Sequence, residues 1–175
     1  MSRITRRAAL AATCLLSGCG FHPLYGPAAD GAANPAQADL AAVWVPVIPN
    51  RSGQLLRQAL QRRLEGASSG VAKRYTLTVG FALTADSIGI QPDTTATRVR
   101  VIGAAPWTLS SDTLDRRVLK TGQAHAMDGY NIIGQQYFAA DLENETVTRR
   151  VADTLADQIV QQLAIYFRRA ASGKA

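Results

Sequence analysis

Cysteine and histidine are scarce in this chain, with two of each among 175 residues. Cys14 and Cys19 both lie near the N-terminus, so the sequence after residue 19 has no cysteine to form a disulfide. A domain built from it must be held by packing alone. His22 and His125 stand apart, without metal-ligand spacing. Neither G-x-S-x-G nor H-E-x-x-H occurs. These absences lead us to expect a protein that is not an enzyme and binds no metal. The formal charge of +6 overstates the basic character. Arg3, Arg6 and Arg7 lie in the first 18 residues, which contain no acid, and 16 basic against 13 acidic side chains remain beyond them. That mild excess argues against a nucleic-acid partner. No hydrophobic run reaches the roughly 20 residues that a membrane-spanning helix needs.

What is present begins with an export signal. Three arginines precede a short stretch of small and apolar residues, Ala8 to Leu16. This is the layout of a secretory signal rather than of a structural element. Leu16-Ser17-Gly18-Cys19 resembles the lipobox of bacterial lipoproteins. In that class the cysteine thiol takes a diacylglycerol, the segment before it is removed, and the new N-terminus gains an acyl chain. Thiol nucleophilicity suits the first step. Two or three chains anchor stably where one anchors only marginally. Residues 1–18 are therefore expected to be lost, leaving lipidated Cys19 as the first residue. Covalent lipid is the only non-protein group expected. Gly20 stands where an Asp would favour inner-membrane retention, so the resemblance implies an outer-membrane anchor with the body in the periplasm.

The mature chain of 157 residues suits one domain. Residues 19–39, rich in Ala, Gly, Pro, Asn and Asp toward their end, read as a flexible tether. Residues 40–170 read as the domain and 171–175 as a frayed tail. Leu40 to Ile48 is strand-like, with Val43, Val45 and Val47 on one side, Trp44 and Ile48 on the other, and Pro46 marking an edge or bulge. Leu56, Leu60 and Leu64 form a helical stripe within Ser52 to Glu65. Tyr75 to Leu83 alternates as a half-buried strand, and Ser87 to Asp93 reads as a connection. Thr95 to Leu109 and Arg117 to Ala126 complete a meander, and Asp128-Gly129 reads as a turn. Val147, Val151, Leu155, Ile159, Leu163 and Phe167 recur every fourth residue within a long helix, Asn144 to Ala170. Asp141, Glu143 and Glu145 suit its N-terminus, and Arg168 and Arg169 its C-terminus. The order β-α-β-β-β-α predicts an α+β fold: a two-layer sandwich with two helices on a four-stranded, mainly antiparallel sheet.

The candidate binding residues are basic. Arg98 and Arg100 are two apart on one strand and share a face. Arg116, Arg117 and Lys120 come at the next strand. If the strands pair, Arg98, Arg100, Arg117 and Lys120 could converge on one surface able to bind phosphate, since arginine's planar fork donates two hydrogen bonds to it. A solvated face with scattered cations is the other reading. The aromatic segment Tyr130 to Phe138 is expected to cover the open end of the core or to meet a partner.

The string Cys19-Gly20-Phe21-His22-Pro23-Leu24-Tyr25-Gly26 directly after the lipobox resembles the start of the lipopolysaccharide-assembly lipoproteins of the LptE family, in their alphaproteobacterial form. The order of elements across the mature chain agrees. The resemblance implies a two-layer α/β sandwich that plugs the lumen of a large outer-membrane β-barrel, LptD, aids its assembly, and binds lipopolysaccharide on its way to the outer leaflet. Basic residues near the tip of the meander connection are linked to that binding in the family. Here Ile90-Gln91-Pro92-Asp93 carries no cation, so the expected patch moves to Arg98 and Arg100. Two other classes remain open: a structural envelope lipoprotein serving peptidoglycan or another complex, and a tethered periplasmic hydrolase.

Overall fold

Alternation along the strands and the four-residue stripe along the last helix together create one shared apolar interior. The computed structural model describes residues 35–65, 70–90, 96–131 and 137–173. The export signal, Cys19, most of the tether, the meander tip at 91–95 and the core of the aromatic segment at 132–136 lie outside the described residues. The elements are α1 (Pro35–Ala41), β1 (Val43–Trp44), α2 (Asn50–Glu65), β2 (Tyr75–Val79), β3 (Ala82–Ile90), β4 (Ala96–Ser111), β5 (Val118–Asn131) and α3 (Tyr137–Ala171).

The sheet is mixed. β1 runs parallel to β2, and β2, β3 and β5 are all antiparallel to β4. β2 and β3 share one side of β4, in a single register that carries from Val79 opposite Trp107 to Ala82 opposite Ala104. They are two halves of one long strand, interrupted opposite Pro106. The Gly80 N–H donates to the Pro106 carbonyl at 2.9 Å, but proline has no N–H to return. The expected α+β class holds, with the second expected strand, Tyr75 to Leu83, divided between β2 and β3 and one short helix added.

That helix, α1, occupies residues read as the end of the tether. Ala36, Leu40 and Ala41 are buried, and α1 packs against α3. Two strands also run further than alternation predicts. β3 continues through the expected connection to Ile90, and β5 through the expected turn to Asn131. Residues 84–88 are exposed on both faces, so no apolar rhythm marks them, and the β4 backbone supplies their ladder. Gly129 is a close-approach residue rather than a turn: a Cβ there would lie 2.8 Å from the Val99 carbonyl oxygen. Near β1, Val47 is exposed and Ile48 buried, the reverse of strict alternation, because β1 ends before Pro46.

The core lies between the sheet and the helices. Val147, Val151, Leu155, Ile159, Leu163 and Phe167 are all buried, as the stripe predicts, and so are Leu56, Leu60 and Leu64 of α2. From the sheet come Leu77, Val101, Trp107 and Leu109. Small residues let α3 approach β4, and a Cβ on Gly103 would sit 2.5 Å from Val151 Cγ1. Arg63 of α2 forks onto Asp157 of α3, with Nε to Oδ1 at 2.5 Å and Nη2 to Oδ2 at 3.1 Å, and also reaches Asp153. The free edge of β5 is occupied by α3 side chains. Gln158 both accepts from the His125 N–H and donates to its carbonyl, and Gln162 donates to the Gln123 carbonyl. At Gln123 and His125 these backbone groups are therefore not open to another chain. The other face of the sheet bears no helix among the described residues.

Candidate functional site

Residues opposite each other in an antiparallel pair share a face, so the register decides which cations meet. Arg98 lies opposite Asn131 on one side and Ile88 on the other, and Arg100 opposite Gly129 and Asp86. Both sit on the helix-free face, since their neighbours Val99 and Val101 turn toward the core. Arg100 Nη2 bonds Asp86 Oδ2 at 3.2 Å, while its buried Nε has no partner among the described residues. Arg98 is exposed and forms no ion pair among the described residues.

Lys120 does not join them. It lies opposite Leu109, which is buried against the helices, so Lys120 starts on the helix side of the sheet. It is also nine residues along β5 from Gly129, about 30 Å at roughly 3.3 Å per residue. Arg117 belongs to the exposed turn between β4 and β5, where its carbonyl accepts from the Ser111 N–H at 2.9 Å. The expected single patch of Arg98, Arg100, Arg117 and Lys120 is therefore corrected to separate sites. The cause is topological: residues just after a hairpin turn pair with those just before it, so Lys120 meets Leu109 and not Arg100.

Lys120 has different company. With Arg169, Tyr166, Thr121, Leu119 and Ile165 it lines a groove of about 570 Å³ between β5 and the end of α3. Neither Lys120 nor Arg169 forms an ion pair among the described residues. The groove thus offers two cations beside apolar side chains, which suits an anionic amphiphile.

Among the described residues the carboxylates of Glu145 and Asp128, and His125, stand in structural settings. The described residues contain no set of three or more His, Cys, Asp or Glu able to hold a metal. The exposed ring of His125 is on the outer face. Helix α3 begins at Tyr137, so Asp141, Glu143 and Glu145 lie inside it rather than at its first turn. Glu145 pairs with Arg51 at 2.8 Å and Arg149 at 3.4 Å, and these cations, Arg51 foremost, lower its pKa. Asp128 receives Arg150 Nε at 2.5 Å and the Gly129 N–H at 2.7 Å, and the Arg150 bond above all holds its carboxyl below the usual range. Carboxylates stabilised as anions serve structure here. No described helix is long and apolar enough to cross a membrane.

Residues 40–163 match the sequence profile of LptE, lipopolysaccharide-assembly. The chain belongs to the LptE family. The match covers nearly all of the folded domain. Solved structures agree on the fold. A candidate lipoprotein from Caulobacter crescentus CB15 superposes with a TM-score of 0.61 at 20% identity, covering 76% of this chain and 96% of its own. Rare lipoprotein B from Shewanella oneidensis gives 0.55 at 14% identity, covering 74% and 96%. Lipoprotein B from Nitrosomonas europaea gives 0.52 at 10%, covering 75% and 83%. No curated protein matches the sequence. This LptE-family domain thus has the shape of lipoproteins that share little of its sequence.

Proposed function

We propose that this LptE-family protein is a non-catalytic outer-membrane lipoprotein that plugs the LptD β-barrel, assists its assembly, and takes part in delivering lipopolysaccharide to the outer leaflet. The family match over residues 40–163 carries the reading. The physics of the fold supports it. A large barrel leaves a lumen that its own side chains do not fill, and a rigid domain can fill it without chemistry. Here the sheet presents an uncovered face, and β3 leaves its outer edge unpaired among the described residues. These are surfaces on which a surrounding wall can close. Acyl chains on Cys19 hold the plug at the membrane. Lipopolysaccharide is phosphorylated, so Arg98 and Arg100 on the outer face would bind it by charge-assisted hydrogen bonds. Arg117 and Lys120 belong to other surfaces.

The test is affinity purification of the tagged protein from detergent-solubilised outer membranes. The expected eluate contains an equimolar, heat-modifiable β-barrel together with lipopolysaccharide. Arg98→Glu with Arg100→Glu should keep the barrel and reduce the lipopolysaccharide. Undiminished lipopolysaccharide would remove those two residues from the proposal. A lone lipoprotein, or one bringing peptidoglycan-associated proteins, would remove the plug and put the structural-adaptor reading first.

A further inference from the structure

A second groove, of about 420 Å³, lies on the helix-free face near the start of the sheet. Trp44, Thr76 and Ser110 form one row across β1, β2 and β4, since Trp44 lies opposite Thr76 and Thr76 opposite Ser110. Thr78 stands beside that row, and Asp112 and Arg116 close the end from the β4–β5 turn. Trp44 is 46% exposed although the residues on either side of it, Val43 and Val45, are buried. The hydroxyls of Thr76, Thr78 and Ser110 have no hydrogen-bond partner among the described residues, and neither Asp112 nor Arg116 forms an ion pair there. Arg116 is exposed and has a left-handed backbone, φ 42°, with its N–H donating to the Thr113 carbonyl at 2.9 Å.

We infer that this groove binds a sugar ring of a short glycan bearing an anionic group. The residue chemistry selects that class. A sugar ring has one face of C–H bonds, which packs on an aromatic plane, and a rim of hydroxyls that both donate and accept. Trp44 supplies the plane. The three hydroxyls and the Asp112 carboxylate supply the partners, and Arg116 supplies the planar fork for a carboxylate or phosphate. An acyl chain would leave those polar groups unsatisfied, and a peptide strand would not need so many side-chain hydroxyls. The volume suits a ligand of one or two rings. Two envelope glycans share this chemistry: the phosphorylated core oligosaccharide of lipopolysaccharide and the glycan of peptidoglycan. The first of these sources rests on the function proposed above. The site itself does not.

The experiment uses the full mature protein, with core oligosaccharide from deacylated lipopolysaccharide and purified muropeptides as separate probes. Tryptophan emission reports binding at Trp44, because the other tryptophan, Trp107, is only 3% exposed. Calorimetry gives the affinity. One probe should bind and shift the emission, which identifies the source. Trp44→Ala should weaken it about tenfold, Trp44→Phe should restore part of the loss, and Arg116→Gln should weaken only anionic glycans. Because Trp44 is exposed, these variants should fold, as circular dichroism will show. The inference is overturned if neither probe binds, or if Trp44→Ala binds as well as wild type. Muropeptide binding alone would support the groove while removing lipopolysaccharide as its source. Loss of the barrel from the affinity eluate, with glycan binding intact, would overturn the plug and leave the groove standing.

Discussion

Leu155→Ala should lower the unfolding free energy by about 4 kcal/mol, toward the upper end of the range for a buried leucine. Leu155 is fully buried on α3, between Val151 and Ile159 in the apolar stripe. It faces Gly103 of β4, where a Cβ would come within 3.0 Å of Leu155 Cδ1. Glycine has no side chain to move into the space that truncation opens, and the backbone around it is fixed by strands on both sides. The cavity should therefore persist. A protein of this size has only about 5–15 kcal/mol of stability in all. Thermal unfolding should show a midpoint lower by on the order of 10 °C. The exposed neighbour Gln161→Ala should change stability by no more than about 0.5 kcal/mol. Equal effects from the two substitutions would contradict the packing described here.

Cys19→Ser should abolish incorporation of labelled palmitate and release to the soluble periplasm all of the protein that the barrel does not itself hold. A serine hydroxyl is a far weaker nucleophile than a thiol at neutral pH, so the diacylglycerol is not transferred. Each buried CH₂ contributes about 0.8 kcal/mol of membrane affinity, and two or three chains together make anchoring stable. No described helix is long and apolar enough to cross a bilayer. An unchanged outer-membrane location with label still incorporated would contradict lipidation at this residue. The experiment addresses the anchor alone. A plug and a structural adaptor both require it.

The features legible in the sequence are those that face two environments at once. The stripe from Val147 to Phe167 and the alternation from Tyr75 to Val79 each have one side in the core and one in water, and burial stamps that period on the residues. The outer parts of β3 and β5 have no such contrast. Residues 84–88 meet solvent on both sides, so Ser87 and Ile88 read as part of a connection although the β4 ladder holds them extended. Pairing is the other quantity that local pattern leaves open. The shared face of Arg98 and Arg100 follows from strand periodicity, but the register sends Lys120 to the far end of the sheet and toward the helices. The Trp44 groove draws on β1, β2 and β4 and on one parallel pairing. No window of the sequence contains it. Its one local trace is a tryptophan set between buried valines.

Depletion of the protein in growing cells, followed by labelling of newly made lipopolysaccharide at the cell surface, tests the assembly role most directly. The expected result is that surface lipopolysaccharide falls steeply while it accumulates in the inner membrane and periplasm, and that wild-type protein reverses both changes. Undiminished arrival of lipopolysaccharide at the surface, in cells shown to lack the protein, would contradict the role proposed for it.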